Sequence, residues 1–419
     1  MVCSSAMGQL SNNSPISYYG LGDVSSSALS SDISLGGAST ANYSSYMINN
    51  LNPSSYSALY TQLADASFVS KQKRITLGTN TINSAGGAIH NFLYAFPLSR
   101  RLGMALGLKP QTSMNYEFEN TSMIDNSKQL TQLYKGEGGI NKLNLGFGYS
   151  IIRDSLNIIS LGVNINYLFG STIKTSTASI IEPGLQSYNS IIQNTASINS
   201  VTYDFGVTYV RKLNDKVDLS LGATYEPKQK LNVSTILLAA SFAGPFSSET
   251  IKDLIAFDDS TTTYFNQSQR LAFGAVMDIN NKYKLMLDYR TEGAADNSHL
   301  GTSYNSVTAS RIAIGIQYIP DVENIMKVLK VARYRFGMNY GKTGKVYQGN
   351  EITQTAGTFG LGLPLVKSQS LTSFNFGMEI GNRTTNVANS YSELYTNLYI
   401  GVSIAPHKFD KWFVRRKIE

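Results

Sequence analysis

From about residue 67 to residue 405 the chain alternates apolar residues with small polar ones, segment after segment. This period of two constrains the fold more than any other feature. Leu143, Leu145, Phe147, Tyr149 and Ile151 alternate with Asn144, Gly146, Gly148 and Ser150. Val201, Tyr203, Phe205, Val207 and Tyr209 alternate with Thr202, Asp204, Gly206 and Thr208. Successive side chains of a strand point to opposite faces, so each segment presents one apolar face and one of small or polar groups. About fourteen such segments are expected, with turn signals between them. The connections alternate between short ones, such as Pro97–Arg100 and Leu213–Asp215, and long ones at 120–138, 173–197 and 229–262. An even strand count with alternating short and long connections is the layout of a transmembrane antiparallel β-barrel. A soluble sandwich would carry Lys and Glu on its polar face, whereas here Gly, Asn, Ser and Thr dominate. The fold class expected is therefore all-β, a closed outer-membrane barrel with both chain ends on the periplasmic side. Lipid bilayer and lipopolysaccharide would surround it.

Composition narrows the alternatives. Only 15% of residues are charged and the mean hydropathy is −0.13. No run of about 18 apolar residues is present, which excludes spanning helices. The surplus of 35 Lys and Arg over 28 Asp and Glu is scattered singly rather than gathered in a stripe, so nucleic acid is not an expected partner. The lone Cys3 leaves no partner for a disulfide within the chain. The histidines His90, His299 and His407 lie far apart, and no phosphate-loop or calcium-loop spacing occurs. No cofactor, metal site or enzymatic activity is expected.

Four regions are expected. Residues 1–8, MVCSSAMG, resemble the end of a secretory leader. Residues 9–66 lack sustained alternation and are long enough to fold into the lumen as a hatch, because a barrel this wide cannot be filled by its wall side chains alone. The barrel spans 67–405. A basic aromatic tail, 406–419, follows on the periplasmic side.

Within the hatch, Leu35-Gly36-Gly37-Ala38 followed by Asn52-Pro53-Ser54 resembles the N-terminal hatch of the FadL/TodX family. Ser14-Pro15-Ile16-Ser17-Tyr18-Tyr19-Gly20-Leu21-Gly22-Asp23 and Lys411-Trp412-Phe413-Val414-Arg415-Arg416-Lys417 resemble its Bacteroidetes branch. The resemblance implies fourteen strands and passive uptake of hydrophobic small molecules such as long-chain fatty acids. It also implies a lateral exit at a kink in the third strand, where Gly107 and Pro110 stand; proline cannot donate to a ladder and marks a bulge or gap. By the same resemblance, the two longest connections form an outer groove that captures ligand. They are unexpectedly apolar, with Ile180 and Ile181 in one and Ile236, Leu237, Phe242, Phe246, Leu254 and Ile255 in the other. A helix is expected over Ser248, Ile251, Leu254, Ile255 and Phe257. Residue parity turns Arg270, Lys284, Asp288, Arg290, Arg335 and Glu379 inward. The alternative function is that of a scaffold or partner subunit bound to another outer-membrane protein in a secretion or assembly complex.

Overall fold

The computed structural model describes residues 14–26, 28–78, 80–125, 128–181, 188–243, 250–300, 304–322, 327–365, 372–385, 387 and 390–405. Fourteen antiparallel strands close into one barrel. They are β1 (Leu63–Leu77), β2 (Asn80–Pro97), β3 (Leu102–Asp125), β4 (Lys128–Arg153), β5 (Asn157–Ile181) and β6 (Tyr188–Asn214). β7 (Val217–Glu226, resuming at Gln229–Ala243) and β8 (Thr250–Gln267, resuming at Arg270–Ile279) are each interrupted once. Both halves of β7 pair with β6, and the halves of β8 pair with the halves of β7. Pro227, which has no amide to donate, stands at the break in β7. The circuit continues through β9 (Tyr283–Glu292), β10 (Ala309–Tyr318), β11 (Arg333–Tyr347), β12 (Asn350–Pro364), β13 (Ser373–Thr384) and β14 (Tyr391–Ile404). β14 closes on β1 from Ile404↔Ala64 to Tyr391↔Leu77. The strand count and closure agree with the alternation read from the sequence.

The apolar face points outward. Leu143, Leu161, Val201, Leu221, Phe273, Leu287, Ile314 and Phe336 are exposed, while Asn144, Asn166, Thr202 and Asp288 are buried toward the axis. This is the arrangement that hydrocarbon demands, with every ladder satisfied inside the sheet.

The long connections at 120–138, 173–197 and 229–262 are not loops. β3 and β4, β5 and β6, and β7 and β8 continue as paired hairpins through almost their whole length, and β6 pairs with β7 across them. Six neighbouring strands thus rise together as a wall beyond the shorter β9–β14. The expected helix is also absent: Ile251, Leu254 and Phe257 lie in β8, opposite Phe242, Ala240 and Leu238, and Ser248 falls outside the described residues. Register shifts between Ile251/Asp253, Leu254/Ala256 and Asp258/Thr261 explain the misleading spacing. Each bulge adds a residue and resets strand parity, so apolar residues three apart imitate a helical period.

Residues 14–26 and 28–59 lie inside the barrel. They comprise a turn of 3-10 helix (Pro15–Tyr18), a two-residue strand (Asp23–Val24), the helix α1 (Ser30–Ile33) and a second 3-10 turn (Pro53–Ala58). Leu29, Ile48, Tyr56 and Leu59 form one apolar cluster with Leu63, Leu93, Ala95 and Ala105 of the wall. Leu35, Ala38 and Ala41 form another with Val276, Met286 and Ala313. β1 begins at Leu63, slightly before the boundary read from the pattern.

Candidate functional site

The N-terminal segment is seated on the wall backbone to backbone. Every strand except β1, β2 and β9 turns a glycine toward it. A methyl group on Gly148 would stand 2.5 Å from Pro53 O, one on Gly222 2.5 Å from Thr40 O, and one on Gly315 2.6 Å from Leu35 O. Gly103, Gly162, Gly206, Gly337 and Gly401 are filled equally closely by Tyr56, Ser54, Asn52, Gly36 and Ser30. Several of these glycines are ladder partners, Gly103↔Gly148, Gly148↔Gly162, Gly162↔Gly206 and Gly222↔Gly274, so they form a belt at one height of the lumen. No side chain longer than hydrogen fits there while the segment is in place.

Polar anchors fix the segment on this belt. Asp288 Oδ2 on β9 accepts from the Ser39 N–H (2.9 Å), the Thr40 N–H (2.9 Å) and Thr40 Oγ1 (2.7 Å). Asn52 Nδ2 donates to Thr40 O at 2.8 Å and reaches Val207 O and Thr208 Oγ1 on β6. Its Oδ1 accepts from the Ser54 N–H and Oγ, capping the 3-10 turn that Pro53 opens. Gly36 and Gly37 have φ of +71° and +79°, the left-handed region that only glycine enters without strain, and Arg311 Nη2 donates to Gly36 O at 2.7 Å. Asp23 is held by Arg383 (3.0 Å) and Lys73 (3.5 Å), which also share Glu393. Burial pushes the Asp23 carboxyl up, but these cations outweigh it and hold it well below the usual range. Asp32 on α1 is the opposite case. It is 1% exposed and neither oxygen has a hydrogen-bond partner among the described residues. Burial raises it to about 7, with Arg335 only partly offsetting the shift.

Beyond the belt the lumen holds a cavity of about 350 Å³ whose lining carries ten Lys and Arg side chains against five Asp and Glu. Arg270 pairs with Glu226 and Glu292, and Lys142 with Asp204. The wall here is charged, which suits water or ions better than an apolar solute. A buried chain of bonds tightens the other end: Arg335, 0% exposed, donates to Gln317 Oε1 and reaches across β12 to Asn375 Oδ1, where Gly362 leaves room.

The wall also carries a lateral seam. β2 and β3 pair only from Pro97↔Gly103 to Phe92↔Leu108. Immediately above, the β1–β2 register slips at His90 and the β3–β4 register slips at Gln111, next to Pro110. Twin bulges at one height splay the two strands. His90 turns inward, its Nε2 2.8 Å from Ala28 O. On the β3 side Asp23–Val24 pairs with Ser113 and Thr112, and the Ser25 N–H donates to Gln111 O, so the N-terminal segment takes up part of the edge that β2 leaves.

The residues singled out in the sequence thus fall into separate places. Gly36, Gly37, Asn52, Pro53 and Ser54 share the belt, and Gly107 and Pro110 flank the foot of the seam. Ile180 and Leu237 are exposed on the strand extensions of β5 and β7, with Ile236 half-buried beside Leu237; Leu254 and Ile255 are exposed on β8. Ile181 and Phe242 lie in strands β5 and β7, and Phe246 falls outside the described residues, as do 1–8 and 406–419. All six inward charges face the lumen side: Asp288 and Arg335 are buried, Glu379 accepts from Asn397, and Lys284 pairs with Asp278. The role of Asp288 as an anchor and the glycine belt escaped the sequence reading. Their signal was a glycine recurring on the polar face at the same position in successive segments.

A family model described as BamG matches residues 1–419. No curated protein sequence matches the chain. Solved outer-membrane proteins share its fold, three of them as follows. A FadL homologue of Pseudomonas aeruginosa is 11% identical with a TM-score of 0.59, over 91% of this chain and 98% of that one. The toluene transporter TbuX of Ralstonia pickettii is 12% identical with a TM-score of 0.56, over 91% and 99%. The toluene transporter TodX of Pseudomonas putida is 14% identical with a TM-score of 0.56, again over 91% and 99%. At such identities the likeness is one of fold alone.

Proposed function

Because the chain belongs to the BamG family, and because its lumen is closed by its own N-terminal segment, we propose that it is a plugged outer-membrane barrel acting as a partner subunit of an assembly complex. The family name points to assembly. The observation that carries the reading is the glycine belt: a plug packed backbone against wall on eleven strands is built to stay. The cavity behind it is lined by ten Lys and Arg and five Asp and Glu side chains, a charged interior rather than a greasy channel. The raised hairpin wall exposes Met123, Ile124, Ile192, Leu254, Ile255 and Phe257, an apolar surface suited to a protein neighbour. The short turns and both termini would face the periplasm, and the wall would rise on the outer side. The test is to solubilise the outer membrane gently, isolate the tagged chain and identify what elutes with it. Recovery of one outer-membrane protein at fixed stoichiometry is expected. A monomer free of protein partners would overturn the reading.

One observation favours a second reading, passive passage of hydrophobic molecules. The seam beside Pro110 offers a lateral way out of the lumen, covered by the Asp23–Val24 strand. On this reading the exposed apolar residues of the wall capture the ligand and a shift of the plug releases it. Saturable toluene or fatty-acid uptake by liposomes containing the isolated barrel, lost when the plug is cross-linked to the wall, would favour passage over assembly.

A further inference from the structure

The charged cavity has cations left over once its ion pairs are made. Lys109 on β3 is 4% exposed and lines the cavity, yet it has neither a hydrogen bond nor an ion pair among the described residues. Among the described residues Arg290 on β9 reaches only Asp288, at 3.8 Å, and that same oxygen already accepts three donors from the plug. Arg311 on β10 spends Nη2 on Gly36 O, while its buried Nε has no partner among the described residues. These three groups line one space. Like charges gathered in a buried space are costly unless an anion offsets them. Of the five carboxylates that line the cavity, Glu226 and Glu292 are committed to Arg270, Asp204 to Lys142 and Asp23 to Lys73 and Arg383, while Glu379 accepts from Tyr395, Asn397 and Tyr399.

We propose that Lys109, Arg290 and Arg311 form a binding site for a phosphate group. A phosphate monoester brings nearly two negative charges and three acceptor oxygens, which matches one ammonium and two guanidinium groups better than a carboxylate does. A second cavity of about 140 Å³ shares Gln111, Arg270 and Lys345 with the first and is lined by Leu21, Leu168, Leu231 and Phe265. That neighbour gives a lipid-borne phosphate somewhere to place its first methylenes, and a free phosphate would leave it empty. The site does not depend on whether the barrel serves assembly or passage.

The test uses the full chain in a non-ionic detergent at low salt, titrated calorimetrically with inorganic phosphate, dodecyl phosphate and dodecanoate. The heat-dependent gel shift of a closed barrel shows which variants fold. Phosphate binding is expected to weaken about tenfold in Lys109→Met and in Arg290→Gln, the loss of one charge-assisted contact each. It should be unchanged in Lys216→Gln, a cation in a short turn. Either folded variant is sufficient. Binding of dodecyl phosphate alone identifies a lipid headgroup as the source, and equal binding of inorganic phosphate identifies a soluble one. No binding of either phosphate overturns the proposal, as does binding that survives in both folded variants. Dodecanoate bound as tightly as dodecyl phosphate overturns the phosphate assignment.

Discussion

Replacing Asp288 by alanine should detach the plug while leaving the barrel closed. One carboxylate oxygen holds the Ser39 and Thr40 amides and the Thr40 hydroxyl, and all of these atoms are buried. Removing the acceptor strands two backbone N–H groups inside the lumen. Each costs about 1–3 kcal/mol when left unsatisfied, and the lost hydroxyl bond adds about 1 kcal/mol, for a total of about 3–7 kcal/mol. The fraction of molecules with this stretch of plug open should therefore rise roughly 10²- to 10⁵-fold. The β8–β9–β10 ladder does not use the side chain, so the heat-dependent gel shift should stay close to normal. The assay is hydrogen exchange at the Ser39 and Thr40 amides, with single-barrel conductance in a planar bilayer as a second readout. Protection unchanged within a factor of three in a folded Asp288→Ala barrel would refute the reasoning. It would mean that water replaces the carboxylate, or that the glycine belt holds the plug unaided.

The remaining predictions follow from the same contacts. Asp32 favours its protonated form in the folded protein, so its burial costs nothing below about pH 4, and the penalty grows as pH rises to about 7. Asp32→Asn should therefore increase plug protection at pH 8, by up to about 4 kcal/mol, and have little effect at pH 4, when compared with the parent at each pH by hydrogen exchange. Gly162→Leu should displace the Pro53–Ala58 turn from the wall without opening the β5–β6 ladder, read as new protease cleavage between residues 45 and 62 in a barrel that still shifts on gels. Arg335→Met leaves Gln317 and Asn375 without their donor and should lower the temperature of the gel shift markedly, a loss of about 3–5 kcal/mol; an unchanged midpoint would show that this chain of bonds is not structural.

The barrel was legible because its cause is local. Period two puts Leu143 outward and Asn144 inward whatever the neighbours do, and hydrocarbon leaves closure as the one way to satisfy the backbone. Where local parity broke, the reading failed. The bulges in β8 made Ile251, Leu254 and Phe257 look helical, and the polar hairpin tips of β3 and β4 looked like loops. The motif Asn52-Pro53-Ser54 could be seen in the sequence, and Asp288 could be assigned to the inner face, but nothing in either stretch says that the two meet at Thr40.

By itself, then, the sequence determined the strand count, the outward apolar face, the inward charges and the position of Pro110, because each depends on residues a few positions apart. Tertiary structure alone decided the rest. The glycine belt exists only once strands far apart in sequence are brought to one height around the lumen. The seam exists because bulges on two facing strands coincide. Lys109, Arg290 and Arg311 share a space only because closure turns β3, β9 and β10 toward one cavity. Contacts between remote segments depend on register and closure, which no local pattern encodes.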